Sequence, residues 1–491
     1  MIKIDQLKLS DEKIIVEPSN NIFRELGNNT YDLKDLISEL IDNSIAARRP
    51  DIRLNVTIEF WVDNRNNCSV IIIKDNALGI DQTRLGISLS PAAVQSSDSL
   101  NEHGLGMKQA IAGLGALRYL ATKTGIDSQA RVIRELKYGE LDCYSLDSSD
   151  VSGTEICIEN IKPIVNANPQ SITMTLVPYL GARYRRFLRP ENRQAEINLL
   201  NRHENSGDVQ YSWSVEEIKP IYFHPSTRRN KPVIENRKMS GPGWKAELTF
   251  GYAPTENELK ELGISPLLQY QPYYVSMSKQ GLDILLYDRV VLFHQLSELG
   301  IVNVKHNDYN LVRGEINLLE GFTTAITKNS IIMDDHFIDC INSVRNILQG
   351  QDEDEDKGYL RLKRYPAEIP ERLLRDRLMN WLQNNPLDKK KDVKTEYTIE
   401  GLAGSIDILA DGEAWELKRD QADGLDIYQL FAYMDMGNID KGYFVASNYS
   451  TGASVARDYI LTKHKKDIVL AKRRDFPINH PPSEDERKKY Y

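Results

Sequence analysis

The chain has 491 residues, of which 41% are hydrophobic and 27% are charged, and its formal net charge is −9. This length predicts about three domains, the composition excludes global disorder, and the acidic balance argues against a generally basic nucleic-acid-binding protein. Because the sequence has no run of about 18 apolar residues, no apolar signal-peptide core and no CxxC spacing among its four cysteines, we expect no membrane span, no disulfide framework, no zinc knuckle and a cytoplasmic location.

The first informative segment is a predicted amphipathic helix over residues 33–47. Its apolar side chains recur at helical spacing, namely Leu33, Leu36, Ile37, Leu40, Ile41 and Ile45. Glu39 and Asn43 stand one turn apart on another face, where a carboxylate and a carboxamide can polarise a water and bind a hard cation. A solvated helix face would carry the same pair, so this helix alone leaves both interpretations open.

A strand of the buried type is predicted to follow and to end at Asp75, just before a turn that contains Gly79. A carboxylate at the tip of a strand can accept a hydrogen bond from the exocyclic amine of a base. An ordinary turn is the alternative, because Asp-Asn is itself a turn-forming pair.

Two glycines precede the next helical segment, in the stretch Gly104–Lys108 with Gly106 at its centre. Glycines allow the backbone to approach a polyphosphate, while the helix N-terminus and Lys108 favour its negative charge. The stretch has neither the Walker lysine spacing nor the Rossmann fingerprint, so it is weak on its own. Gly153 and Thr154 then begin a later strand.

In this order, the four motifs resemble the GHKL ATPase superfamily, which includes gyrase, MutL, heat-shock chaperone ATPases, histidine kinases and MORC proteins. The resemblance implies a Bergerat-type α/β sandwich over residues 1–163, with ATP and Mg²⁺ as cofactors. It implies that Glu39 positions the attacking water, that Asn43 binds Mg²⁺, and that residues 81–103 form the ATP lid. It extends nucleotide binding to Asp75, Gly79, Gly104, Gly106, Lys108 and Thr154. Ala77 departs from the family, which often has glycine there, and leaves the geometry of that turn open.

The position of these motifs narrows the family further. Only about 20 residues precede the site, so the phosphoacceptor helix of a histidine kinase is not expected. Residues 164–350 resemble the ribosomal-protein-like transducer domain of gyrase, MutL and MORC proteins, and Gly281–Val291 resembles its strand pair. In that pattern a lysine reaches the γ-phosphate, and Lys328 is the candidate. A solvated loop lysine is the alternative.

An acidic run separates this part from the rest of the chain. Residues 352–356 are all acidic, repel one another and cannot join a core, so residues 351–365 are predicted to be a solvated linker. An acidic surface loop within one domain is the alternative. The acidic excess lies in the first 357 residues, this run included. The later part carries a basic cluster that suits phosphate contacts. The cluster consists of Lys463, Lys465, Lys466, Lys472, Arg473 and Arg474.

Beyond the linker, Asp411-Gly412 between two apolar-rich runs predicts a two-residue β-hairpin turn. The turn sets a register that pairs Ala410 with Glu413, Leu409 with Ala414, Ile408 with Trp415 and Asp407 with Glu416. Asp407, Glu416 and Lys418 then share one face, and the two carboxylates are opposed with Cβ atoms roughly 4.5–5.5 Å apart. Such a pair repels unless a cation or a proton lies between its members. A solvated hairpin face is the alternative.

Asp407 followed by Glu416-Leu417-Lys418 resembles the PD-(D/E)XK nuclease superfamily. The resemblance implies a restriction-endonuclease-like α/β/α nuclease domain over residues 366–491, including the basic tail. Two carboxylates and a backbone carbonyl, expected from Leu417, suit Mg²⁺ or Mn²⁺ rather than zinc. A bound divalent metal would activate a water, and Lys418 could orient that water.

Two flanking helices agree with this resemblance. The helix before the hairpin carries Glu371 as a candidate metal-assisting acid, with Glu368 as its competitor. The helix after the hairpin carries a QxxxY motif, in which Gln429 would support the active site.

Together these resemblances predict an α/β and α+β multidomain protein that acts as an ATP-regulated, metal-dependent DNA endonuclease of MORC/MutL-like type. ATP binding is expected to close a homodimer that clamps DNA, double-stranded DNA being favoured, and aligns two nuclease domains. The expected setting is prokaryotic antiviral defence or restriction, with a defence-system partner protein. Two alternatives stay open: a DNA-clamping ATPase of MORC or chaperone type whose nuclease fold only binds, and a DNA-repair nuclease.

Overall fold

The computed structural model describes residues 18–91, 104–324, 331–349 and 369–490, together with residue 362. Single residues are excepted within these ranges, namely 29, 226, 267, 400, 402, 403 and 481. The chain divides into two compact units, Met1–Arg364 and Tyr365–Tyr491. Within the described residues, no helix is both long enough and apolar enough to cross a membrane.

The first half of the N-terminal unit builds one sheet with helices packed on it. In chain order its elements are α1 (Asn21–Glu25), α2 (Leu33–Ala46), β1 (Leu54–Val62), β2 (Cys68–Asp75), α3 (Gln82–Leu89), α4 (Gly106–Leu114), β3 (Ala116–Lys123), β4 (Ala130–Ile133), β5 (Tyr144–Leu146), β6 (Gly153–Glu159), α5 (Pro169–Ser171), α6 (Val177–Arg183), β7 (Ala195–His203) and β8 (Val209–Ser214). Over the described residues the strand order is β5-β4-β3-β6-β2-β1-β7-β8. Neighbouring strands are antiparallel except for β1 and β7, which are parallel.

Helix α2 carries the apolar stripe that seats it on this sheet. It begins at a capping box, in which the Asp32 carboxylate accepts from the Asp35 amide and the Asp35 carboxylate accepts from the Asp32 amide. Leu36 and Ile41 of the stripe are buried in one core with strand residues such as Ile58. The predicted helix is confirmed to within one residue at its C-terminal end.

The second half of the N-terminal unit forms a separate sheet. Its elements are β9 (Ile234–Gly241), β10 (Trp244–Tyr252), α7 (Glu256–Leu262), β11 (Gly281–Leu286), β12 (Arg289–Gln295), β13 (Val312–Glu320) and α8 (Asp335–Leu348). In the described part of the chain the strand order is β12-β11-β13-β10-β9, and β11 and β13 run parallel. Helix α8 covers this sheet with Phe337, Ile341 and Val344, which are buried in a second core.

Buried ion pairs join the two halves of the N-terminal unit. Just after α6, Arg185 lies 2.8 Å from Glu315 on β13 and 3.1 Å from Asp283 on β11. Arg186 lies 3.1 Å from the other oxygen of Glu315. A buried charge is stable only when it is paired, so these contacts hold the halves in a defined relation. The first sheet also continues through β7 and β8, beyond residue 163, the predicted end of the ATPase domain.

The C-terminal unit is a mixed sheet with helices on both faces. Its elements are α9 (Glu371–Asn384), β14 (Val393–Thr398), β15 (Ser405–Ala410), β16 (Glu413–Leu417), β17 (Gln421–Ala422), α10 (Gly424–Met436), β18 (Lys441–Ala446), β19 (Asn448–Tyr449), α11 (Thr451–His464), β20 (Asp467–Lys472) and α12 (Glu484–Tyr490). Over the described residues the main sheet has the order β14-β15-β16-β18-β20, and its last three strands are parallel. Leu374 of α9 shares a core with Trp415, whereas Leu430 of α10 shares another with Phe444.

The hairpin between β15 and β16 follows the predicted register. The pairs Ile408–Trp415, Leu409–Ala414 and Ala410–Glu413 are confirmed. Both turn residues have positive φ, +48° at Asp411 and +81° at Gly412, as a two-residue hairpin turn requires. The chain is thus a mixed α/β multidomain protein, and its assignment to ATPase, transducer and nuclease domains with the boundaries given above stays a prediction.

Candidate functional site

A pocket of about 460 Å³ opens in the N-terminal unit beside α2, β2 and the start of α4. Seven of the predicted nucleotide-binding residues line it: Asn43, Asp75, Gly79, Gly104, Gly106, Lys108 and Thr154. The eighth, Lys328, lies outside the described residues, as do residues 92–103 of the predicted lid. The fold therefore brings side chains from four separate stretches of sequence to one cavity.

Asp75 lies at the end of β2, where the fold surrounds its carboxylate with donors. The Ser44 hydroxyl donates to Oδ2 at 2.7 Å, and the amides of Ala77 and Thr154 donate to Oδ1 at 3.0 and 3.1 Å. Burial raises the pKa of Asp75, and these three hydrogen bonds oppose the shift. A carboxylate offers about four acceptor positions. One position is therefore left for a donor that enters the pocket, such as the amine of a base.

Two glycines make the backbone around Asp75 possible. Gly79 has a φ of +72°, and a Cβ at that position would lie 2.0 Å from the carbonyl oxygen of Lys123. A Cβ on Gly153 would lie 2.1 Å from the carbonyl oxygen of Asp75. Only glycine tolerates both a positive φ and such an approach. Gly79 and Gly153 are thus required because the neighbouring backbone lies too close to admit a Cβ atom. Gly79 also leaves space beside the pocket.

The N-terminus of α4 faces the same pocket. Leu105 precedes the helix and has no side-chain oxygen with which to cap it, so the first amides can serve an anion. Lys108 is buried in the first turn, where its Nζ donates to the Gly104 carbonyl at 2.5 Å. This bond holds the glycine loop against the helix. It places a positive charge at the end of the pocket where a polyphosphate would be stabilised.

Helix α2 presents its polar residues differently from a solvated face. Glu39 is only 4% exposed, and Asn43, one turn later, is half-buried and lines the pocket. The solvated-face interpretation of this helix is therefore wrong. A buried carboxylate next to a pocket-lining carboxamide is an arrangement that can hold a water and a hard cation.

Sequence reasoning missed a buried ion cluster behind α2. Asp42 is fully buried, accepts a hydrogen bond from the Tyr184 hydroxyl at 2.9 Å, and lies 3.6 Å from Arg183. Arg289, the first residue of β12, makes a close ion pair with the same Asp42 carboxylate and is 1% exposed. Burial lowers the pKa of Arg289 to about 10, although the charge of Glu39 opposes the shift. The signal in the sequence was an arginine placed directly beside apolar strand residues.

The polar groups that line this pocket fit a nucleoside triphosphate with a divalent cation. One acceptor position at Asp75, an anion-binding helix start at α4 and the Asn43 amide oxygen lie around a single cavity. These groups suit a base, a polyphosphate and a hard cation respectively.

The C-terminal unit holds the second candidate site, at the hairpin. The Leu417 amide donates to Oδ2 of Asp407 at 2.9 Å, and the Asp407 amide lies 3.4 Å from Oε1 of Glu416. Glu416 is 9% exposed and Asp407 is half-buried. The solvated-hairpin interpretation is therefore wrong, because both carboxylates lie close together and largely out of solvent.

The two carboxylates strongly perturb one another. Burial, and after it the charge of Asp407, raises the pKa of Glu416 to about 9. Burial also raises the pKa of Asp407, while the hydrogen bond from Leu417 opposes the shift. The charge of Glu371 acts in the same upward direction on both groups. In the absence of a metal, such a pair holds a proton at neutral pH, and a divalent cation could take its place.

The remaining predicted residues of this site have identified contacts. Glu371 accepts from the Arg419 amide at 2.9 Å. Lys418 forms an ion pair with Asp426 of α10 at 2.7 Å, a partner that sequence reasoning did not anticipate. Gln429 donates to the Tyr433 hydroxyl of its own helix at 3.2 Å. Glu368, the competitor of Glu371, lies outside the described residues.

The hairpin offers few side chains that could bind a metal. Among the residues that the structure describes, no group of three or more His, Cys, Asp or Glu side chains is arranged to hold a metal. The predicted site needs only two carboxylates, Asp407 and Glu416, with a backbone carbonyl. Their proximity and burial fit a hard cation, and the roles of all the predicted site residues stay predictions.

Comparison with known proteins supports the first of the two sites. Residues 31–161 match the profile of the family described as histidine kinase-, DNA gyrase B-, and HSP90-like ATPase. No curated protein matches the chain significantly. The match covers about a quarter of the chain and contains the whole pocket described above. It identifies this stretch as a GHKL-type ATPase region, which implies binding and hydrolysis of ATP.

Proposed function

We propose that the protein is an ATP-regulated, metal-dependent DNA endonuclease. The N-terminal pocket would bind ATP, and the C-terminal hairpin would cut a phosphodiester. The observation that carries the nuclease proposal is the buried, mutually perturbed carboxylate pair Asp407 and Glu416. A folded protein has no stability reason to bury two opposed carboxylates, since such a pair costs free energy until a cation or proton neutralises it.

At the ATP site, the contacts support a distinct role for each residue. Asp75 would accept the base amine, and the start of α4 with Lys108 would neutralise the polyphosphate. Asn43 would hold Mg²⁺, which would screen the phosphate charge. Glu39, buried one turn before Asn43, would take the proton of the attacking water. Its position one helical turn from Asn43 would put its carboxylate beside a water held at the cation.

At the hairpin, Asp407 and Glu416 would hold Mg²⁺ or Mn²⁺, which would supply an activated water. Glu371 would add negative charge to the site, since its charge already raises the pKa of both carboxylates. Lys418 stands at the same strand end, paired with Asp426. For contact with a phosphate it would have to exchange that partner, which is feasible for a half-exposed ion pair.

The choice of DNA is supported by the distribution of cations in the C-terminal unit. Strands β16, β18 and β20 are parallel, so all three end on the same side of the sheet, at their carboxyl ends. Lys418 and Arg419 follow β16, and Arg473 and Arg474 follow β20. The carboxylate pair near the end of β16 therefore shares its edge with basic side chains that could contact phosphates.

Two activities compete with this proposal. A DNA-clamping ATPase with a binding-only C-terminal unit would bind DNA without cutting it, and a DNA-repair nuclease would cut only damaged or mismatched substrates. Homodimer closure on ATP binding and a role in antiviral defence or restriction, with a partner protein, belong to the same proposal and rest on the family resemblance.

The decisive experiment is a cleavage assay on plasmid and linear DNA with Mg²⁺ or Mn²⁺, with and without ATP and a non-hydrolysable analogue. Glu416→Ala and Lys418→Ala are expected to abolish or strongly reduce cutting. Glu413→Ala is the matched control, because Glu413 lies on the same strand but pairs with Lys390 at 3.0 Å. Equal cutting by wild type and Glu416→Ala would refute the nuclease assignment. In parallel, Glu39→Ala should bind ATP yet lose turnover.

A further inference from the structure

The turn between β11 and β12 places an arginine deep inside the N-terminal unit. Tyr287 and Asp288 form this turn with φ values of +53° and +62°, the left-handed conformation of a tight hairpin turn. Arg289 follows as the first residue of β12 and is 1% exposed. An arginine is rarely buried to this extent without a specific partner.

The partner of Arg289 is on the helix that carries the candidate ATPase residues. Arg289 pairs with Asp42, which stands between Glu39 and Asn43 in α2. Arg183, at the end of α6, approaches the same carboxylate at 3.6 Å. The charges of both arginines also act on Glu39. The cluster thus contains two buried acidic side chains, Asp42 and Glu39, and two buried guanidinium groups.

This arrangement gives α2 a mechanical link to the second half of the unit. Arg289 is held by a strand of the β9–β13 sheet, so a movement of that hairpin moves its guanidinium. Asp42 and Glu39 are three residues apart in α2, so both lie on the same buried face of the helix. A movement of the hairpin therefore changes both the placement of α2 and the electrostatic environment of Glu39. Arg289 does not line the pocket, so its effect on a bound nucleotide would be indirect.

We propose that Arg289 is a positioning residue for ATP hydrolysis: through its buried ion pair with Asp42 it holds α2, and with it Glu39, in the hydrolytic geometry. The proposal rests on the ATPase function proposed above. It predicts that the β11–β12 hairpin sets the turnover rate without setting nucleotide affinity.

The test compares five variants of the full chain: Arg289→Met, Arg289→Lys, Asp42→Asn, the double variant Asp42→Asn/Arg289→Met, and Arg186→Met. Arg186→Met is the matched control, because Arg186 contacts the same hairpin turn through Asp288 at 3.0 Å but reaches Glu315 rather than α2. The readouts are kcat, KM, the affinity for a fluorescent non-hydrolysable ATP analogue, and the thermal unfolding midpoint.

We expect Arg289→Met to lower kcat by about 10- to 100-fold, as misplacement of a catalytic group does, with analogue affinity nearly unchanged. Arg289→Lys keeps the charge but lacks the planar fork, so its kcat should lie between those of wild type and Arg289→Met. Arg186→Met should lose much less kcat than Arg289→Met, because Arg185 still pairs with Glu315 and the Arg289–Asp42 ion pair stays in place. The double variant Asp42→Asn/Arg289→Met should lose less than the two single losses multiplied together, because both remove one interaction.

Three results would overturn the inference: a wild-type kcat in Arg289→Met, a parallel loss of kcat and analogue affinity, or an equal loss in Arg186→Met. If Arg289→Met does not fold, Arg289→Lys decides, since a folded Arg289→Lys with full turnover overturns the inference. A wild-type chain that binds the analogue but never hydrolyses ATP would instead refute the proposed ATPase function. The two failures are therefore distinguishable.

Discussion

Replacing Asp75 by asparagine should weaken recognition of the base and leave the fold in place. The Asp75 carboxylate accepts the amides of Ala77 and Thr154 on one oxygen and the Ser44 hydroxyl on the other. Asparagine keeps the oxygen that receives the two amides. The Ser44 hydroxyl also lies 3.3 Å from the Leu40 carbonyl, which can accept it instead. The new amide group then presents a donor to a base amine that is itself a donor.

The size of the effect follows from the contacts. A hydrogen bond to a charged group contributes roughly 1.5–3 kcal/mol, and about 1.4 kcal/mol corresponds to a tenfold change in Kd. We therefore expect the Kd for ATP to rise by roughly 10- to 150-fold. The free energy of unfolding should change by only about 1 kcal/mol, because every protein donor at this position keeps an acceptor.

Equilibrium titration of the full chain with a fluorescent ATP analogue measures the change in affinity, and urea unfolding measures the change in stability. GTP is the informative second ligand, since guanine carries an oxo group where adenine carries the amine. Asp75→Asn should therefore lose less affinity for GTP than for ATP. Ser44→Ala is the matched control, because it removes a neighbouring donor but keeps the carboxylate.

Two results would refute this reasoning. A folded Asp75→Asn variant that binds ATP as tightly as wild type would mean that Asp75 does not contact the base. Loss of the cooperative unfolding transition would mean that the carboxylate is needed for folding, which the surviving acceptors of the asparagine variant argue against.

Further predictions concern the glycine turn and the carboxylate pair. Gly79→Ala should destabilise the chain by at least about 1–2 kcal/mol in urea unfolding, because φ is +72° and the new Cβ meets the Lys123 carbonyl. Gly86→Ala on α3 is the control. It should not destabilise the chain, because its new Cβ meets open space. The pKa of Glu416 is raised from 4.5 to about 9, so the contribution of this group to the stability of the metal-free chain is full below about pH 4.5 and is lost as the pH rises through about 9. Glu416→Gln should remove this fall in thermal unfolding scans, and an unchanged pH profile would contradict the assignment. Calorimetric titration of wild type with Mn²⁺ should show affinity that increases with pH over the same range, because the metal competes with the proton, and Glu416→Gln should abolish that binding.

Local pattern was sufficient to predict several elements. The apolar spacing of α2 located that helix to within one residue, and Asp411-Gly412 defined both the hairpin and its register. Both predictions depend on residues near in sequence: the helical spacing of apolar side chains and a two-residue turn. The grouping of seven pocket residues was inferred from a family resemblance, and the structure brings those residues to one cavity.

Features that depend on distant neighbours could not be predicted in this way. Taken alone, the spacing of α2 favoured a solvated face for Glu39, because helical spacing describes only which residues share a face and does not identify what covers that face. The ion pair between Lys418 and Asp426 depends on how α10 packs against the end of β16. The continuation of the first sheet into β7 depends on parallel pairing with a strand more than a hundred residues earlier.

The sequence by itself determined where helices and turns begin, which residue types could serve ATP and a hard cation, and that the chain contains several domains. Only the tertiary structure decided which charges are buried and with whom they pair. Asp42 and Arg289 are separated by more than two hundred residues, and no local pattern connects them. Burial makes an ion pair strong or costly according to its partners, and partners at such separations are set by the packing of whole sheets.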